Sequence, residues 1–120
     1  MPRRLLVKAT SGEDAPERCA QAFTVSSVAV LSGADVSLWL TGDAAWFGVP
    51  GRAEEFTLDL AAPLADLLAT VVEHGRVTVC TQCAARREIT EADLLPGARI
   101  AGAASFVEEA LAPGTQALVY

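Results

Sequence analysis

The sequence predicts an α/β fold: a three-layer α/β/α sandwich around a mostly parallel sheet of about five strands. Three observations point there. Short runs of strand character alternate along the chain with helical stretches, and the turns between them are short, which is the pattern of crossover units. An apolar fraction of 52% in 120 residues fills one core and leaves enough to cover an oligomer interface. No repeat, low-complexity segment or linker breaks residues 1–120, which read as a single domain.

Leu5-Leu6-Val7 suits a strand buried on both faces. The segment Thr10-Ser11-Gly12-Glu13-Asp14-Ala15-Pro16 supplies turn chemistry and a helix start. Asp14 is the expected N-cap, and Pro16 sits in the first turn, where its missing N–H does no harm. Glu17–Leu31 reads as a helix ended by Gly33, with Cys19, Ala22, Phe23, Ser26 and Val30 at core spacing. Thr24–Val28 in its middle has poor helix propensity, so tertiary packing must hold it. Asp35–Thr41 is the second strand, with Trp39 in the core and Gly42-Asp43 as its stop. Ala44–Gly51 is an apolar loop or single helical turn, whose Trp46 and Phe47 wall a site or bury at a subunit interface. Arg52–Leu60 is ambiguous between edge strand and loop. Pro63–His74 is an amphipathic helix ended by Gly75, with His74 placed to interact with the helix dipole. Arg76–Cys80 is the third strand and Gln82–Arg87 a short helix. Thr90-Glu91-Ala92-Asp93 resembles a capping box that opens a brief helix closed by Pro96-Gly97. Ala98–Ala101 is a fourth strand, Ser105–Leu111 a helix stopped at Pro113-Gly114, and Gln116–Tyr120 the last strand.

The charge balance removes several function classes. A net charge of −6, with eight Arg and a single Lys8 scattered along the chain, argues against a nucleic-acid partner, which needs a basic face. No apolar run approaches the roughly 20 residues that span a bilayer, so no membrane partner is expected. Met-Pro-Arg-Arg-Leu-Leu-Val-Lys has too short an apolar stretch for a signal-peptide core and reads as the first strand. Three cysteines, an odd number, point to reduced thiols in the cytoplasm.

Chemistry concentrates at Cys80 and Cys83, one Cys-x-x-Cys where a buried-looking strand turns into a helix. A helix N-terminus offers unpaired N–H groups and a partial positive charge, both of which favour a thiolate. A thiolate can attack sulfur, carry a persulfide or bind a metal. Arg86 and Arg87 follow closely and could add to the effect; the alternative is a solvated face. The loops after the first three strands, Thr10–Asp14, Thr41–Gly51 and Cys80–Cys83, should converge beyond the strand ends, which makes Thr10, Asp14 and Trp46 binding candidates. Glu13 and Asp14 are expected to cap the first helix, and negative charge near the cysteine would raise its pKa. Cys19 reads as packing.

The pair has four readings: a structural pair, a zinc site, a thioredoxin-like dithiol, or sulfur carriage on one thiolate. Zinc needs four ligands, and the chain offers Cys80, Cys83, the distant Cys19 and His74, placed on the opposite side of the sheet, so neither metal nor cofactor is expected. A thioredoxin motif follows an early strand and needs a later Pro at a strand entry, a poor match here. A non-catalytic scaffold or regulatory subunit, and a metal-binding subunit with ligands shared across an interface, remain as alternatives.

Several pieces in order resemble the DsrE/DsrF family of small sulfur-relay proteins, which includes the TusD-like subunits. They are the opening strand with Thr-Ser-Gly-Glu-Asp-Ala-Pro-Glu-Arg, and Ser32-Gly33-Ala34-Asp35-Val36 leading into Leu38-Trp39-Leu40-Thr41-Gly42-Asp43. Val77-Thr78-Val79-Cys80 with Ala84-Ala85-Arg86-Arg87 comes next, then Leu95-Pro96-Gly97-Ala98-Arg99-Ile100. The resemblance implies a three-layer domain forming trimers or hexamers, and a cysteine at the end of the third strand that accepts sulfane sulfur. Cys80 holds that position. Many relay subunits manage without a second cysteine one turn further on. The two-thiol motif at the strand–helix junction adds the expectation of a sulfur-transfer or thiol-redox protein, with Cys80 as nucleophile, Cys83 as resolving or assisting thiol and Arg86 as electrostatic helper, and with sulfur donor and acceptor proteins as partners.

Overall fold

The computed structural model describes residues 3–120; Met1 and Pro2, which begin the segment read as a first strand, lie outside the described residues. Five strands form one parallel sheet: β1 (Arg4–Ala9), β2 (Asp35–Leu40), β3 (Arg76–Cys80), β4 (Ala98–Ala101) and β5 (Thr115–Val119). Their order is β4-β3-β2-β1-β5, so the first three strands are neighbours and the loops that leave them converge.

Each strand alternates its side chains between two faces. Val7, Ala9, Val36, Leu38, Leu40, Val77 and Val79 fill the main core on one face. Helices α1 (Pro16–Leu31) and α3 (Leu64–His74) pack there on the sheet and on each other. The poor helix former in the middle of α1 is held as expected: Ser26 and Ser27 are buried, and the Ser26 hydroxyl donates to the Ala22 carbonyl at 2.7 Å. Between β2 and α3 the chain makes a 3-10 helix, Gly42–Gly48, and the four-residue α2 (Arg52–Glu55), where sequence left strand or loop open. Phe47 is mainly a core residue: it is buried between the rings of Phe23 and Phe56, with edge-to-face centroid distances of 5.8 and 5.7 Å.

The other face carries Leu6, Lys8, Ser37, Trp39, Thr78 and Arg99, under the single helix α5 (Ala103–Ala110). Trp39 is fully buried as expected, with Phe106 of α5 edge-on at 5.3 Å. Glu109 of α5 accepts bonds from Ser37 Oγ (2.5 Å) and Trp39 Nε1 (3.1 Å) of β2 and from Arg99 Nη2 (3.0 Å) of β4, which pins the helix to two strands. The 3-10 turn Glu91–Asp93 shows the capping box read from Thr90 and Asp93.

One expected cap is absent. Ala15, not Asp14, is the N-cap of α1, and no side chain caps it. The Asp14 carboxylate instead accepts the Gly12 N–H at 2.7 Å, two residues back, closing the loop on itself. No helix of the described residues is long and apolar enough to cross a membrane.

Candidate functional site

Cys80 ends β3 and is the N-cap of α4 (Thr81–Arg86). The extended backbone of Cys80 (φ −63°, ψ 131°) gives way to helix at Thr81, so its side chain sits at the end of α4 that carries free amides, although it makes no cap hydrogen bond to them. On β3, Cys80 shares a face with Thr78 and therefore points to the α5 side of the sheet. The neighbouring loops part at this place. From β3 the chain enters α4, whose Ala84 belongs to the core on the α1/α3 face; from β4 it enters α5 on the other. A crevice at such a divergence is where parallel sheets bind ligands. Cys80 stands in register with Ala101 across it.

Partial burial raises the Cys80 pKa, but four other influences outweigh it and the net shift is downward. They are the Cys83 amide, the Cys83 thiol, the Gln82 amide and the charge of Lys8. Lys8 comes from β1 on the same face, its ammonium 4.9 Å from the centroid of Phe106. Cys83 lies one turn along α4. Its sulfur accepts the Gly42 N–H at 3.2 Å, a bond that crosses from the end of β2. Arg87 fastens the same two segments, donating to Cys83 O (3.1 Å) and to Asp43 Oδ1 (2.7 Å). Cys80 and Cys83 are half-buried and all three cysteines are free thiols.

The loops fit closely because two glycines allow it. A Cβ at Gly12 would stand 2.8 Å from the Asp43 carbonyl oxygen. Gly42 has φ +54°, and a Cβ there would collide with the Thr10 carbonyl oxygen.

The DsrE/DsrF-like family profile matches residues 3–118. The chain belongs to the DsrE/DsrF-like family. Its fold is similar to the crystal structure of the YchN protein from E. coli, with a TM-score of 0.78 at 18% identity over 100% of both chains. It is also similar to the protein of unknown function MTH1491 from Methanobacterium thermoautotrophicum, with a TM-score of 0.62 at 10% identity, again over 100% of both. No curated protein matches the sequence.

The predicted site residues of this DsrE-like chain divide into three groups. Cys80 and Cys83 lie together at the start of α4, where the chains leaving β3 and β4 part. Trp46 stands aside with Glu13, Asp43, Phe47 and Arg52 around a cavity of about 150 Å³, the Arg52 guanidinium 4.1 Å over its ring. The third group is already engaged or elsewhere. Thr10 bonds through both its hydroxyl (2.6 Å) and its N–H (3.1 Å) to the Tyr120 carbonyl, and Asp14 is held by Gly12. Arg86 is exposed and, among the described residues, pairs with no carboxylate; the positive charge that lowers the Cys80 pKa is Lys8. Its neighbour Arg87 takes the clamping role. Cys19 is packing as read: 1% exposed, its thiol pushed up to about 12 by burial and the nearby Asp14 charge. His74 is at the far end of β3, its imidazole 3.7 Å from Glu73.

Lys8 and Gly42, which act on Cys80 and Cys83, were not among the residues expected there. The one sequence signal for Lys8 was its standing as the single lysine in a short apolar strand.

Proposed function

We propose that this DsrE-like protein is a sulfur-relay component that accepts a sulfane sulfur as a persulfide on Cys80. The observation that carries the reading is the setting of Cys80: a half-buried thiol at the N-cap of α4, its pKa lowered against its own burial by the helix-start amides, the Cys83 thiol and Lys8. Such a thiolate attacks the outer sulfur of a persulfide or polysulfide, and the same amides accommodate the anionic product. Donor and acceptor proteins bearing persulfides and thiols are the partners this chemistry requires. Three free thiols fit a reducing cytoplasm. Exposed Val28, Leu31, Val107, Leu111 and Val119 offer apolar surface for assembly into trimers or hexamers.

The test is intact mass after treatment with a persulfide donor. Wild type gains about 32 Da, one sulfur atom, and Cys80→Ser does not. Equal labelling of Cys80→Ser overturns the assignment.

A further inference from the structure

We infer that Cys83 discharges the sulfur carried by Cys80 as hydrosulfide, so that the site reduces persulfides as well as receiving them. This rests on the Cys80 reading above. What carries it is how firmly Cys83 is aimed. Its sulfur takes a bond from Gly42 N, an amide of another strand's loop at 3.2 Å, and not from its own helix. Arg87 then locks its carbonyl and Asp43 to one guanidinium, so α4 and the β2 loop hold together around this thiol. A cysteine used only for packing needs none of this; Cys19, sealed among apolar side chains, is the example in the same chain. Residues three apart on a helix turn are neighbours, and a disulfide spans Cα atoms roughly 4.4–6.8 Å apart. The Cys83 thiol is also among the groups that favour the Cys80 thiolate.

The step balances without outside help. Cys83 passes its proton, by way of solvent, to the outer sulfur of the persulfide, and its thiolate attacks Cys80 Sγ. The bond from Sγ to the carried sulfur breaks, and its electron pair departs on that sulfur as HS⁻. A Cys80–Cys83 disulfide remains. The sulfane sulfur has been reduced to sulfide and the two thiols oxidised. Renewed turnover takes a reducing dithiol, which returns the disulfide to two thiols.

The experiment treats the full chain with glutathione persulfide under anaerobic conditions and follows intact mass and released sulfide against a protein-free control. Wild type passes through the species about 32 Da heavier and settles about 2 Da below its starting mass, with one sulfide per chain. Cys83→Ser stops at the heavier species and releases no sulfide above the control. Wild type that holds the heavier mass without sulfide overturns this inference and leaves the Cys80 reading intact. Failure of Cys83→Ser to gain mass, with native circular dichroism, overturns the Cys80 reading and this one with it. Should Cys83→Ser not fold, the wild-type time course decides alone: mass loss with stoichiometric sulfide supports the step, a stable gain refutes it.

Discussion

Gly42→Ala is the sharpest test of how the site is built. Two costs add at this position. The left-handed backbone (φ +54°) disfavours any Cβ by about 1–2 kcal/mol. The new methyl also meets the Thr10 carbonyl oxygen, a backbone atom of the loop after β1 that cannot swing away. Forcing atoms into a filled site costs a further 1–3 kcal/mol or so. The total, about 2–5 kcal/mol, is a large part of the roughly 5–15 kcal/mol that holds a domain folded. With a urea slope of about 1.5 kcal/mol/M the midpoint falls by about 1–3 M. Gly51→Ala is the control, since its φ of +89° is also left-handed but no atom lies within 4 Å of the added methyl. It should lose only the first cost. Gly42→Ala should further loosen the N–H bond to Cys83 and speed native-state alkylation of that thiol. Equal losses for the two alanines, within about 0.5 kcal/mol, would refute the close approach of the two loops.

Two more outcomes follow from the charges. Lys8→Gln should slow Cys80 alkylation at neutral pH while leaving the high-pH plateau unchanged, because Lys8 lowers the thiol pKa; Arg86→Gln should leave the whole profile unchanged, and pH–rate profiles at each cysteine separate the two. Cys19 keeps its proton up to about 12 when folded but loses it near the ordinary 9.0 when unfolded. Between those values the unfolded chain binds fewer protons, so stability falls as pH rises, by about 1.4 kcal/mol per unit. Denaturant midpoints from pH 9 to 11 should fall less steeply for Cys19→Ala than for wild type; identical slopes would remove Cys19 from the alkaline limb.

The strands and main helices were legible because each apolar run is closed by Gly, Pro or Asp, as at Gly33, Gly42 and Gly75. Cys80 was legible for the same reason: a Val-Thr-Val-Cys run passing into Thr-Gln-Cys-Ala-Ala-Arg marks both strand and helix. What failed were choices between competing partners. The Asp14 carboxylate can cap a helix ahead or close a turn behind, and the turn prevailed. Arg86 and Arg87 differ by about 100° around a helix of six residues, and only coordinates say which one meets Asp43. Lys8 acts on Cys80 across two strands, and Gly42 reaches Cys83 from a third segment. Neither contact exists in the sequence until the order of β1, β2 and β3 is known.

The place of β5 has a kinetic consequence. Arg4 pairs with Thr115, whereas β1–β2 and β2–β3 are joined by helical crossovers within about forty residues. The four-stranded portion can therefore assemble early and leave one flank of β1 with unpaired amides and carbonyls. That flank stays open to a foreign strand until the distant segment docks, so removing β5 should favour aggregation over simple loss of stability.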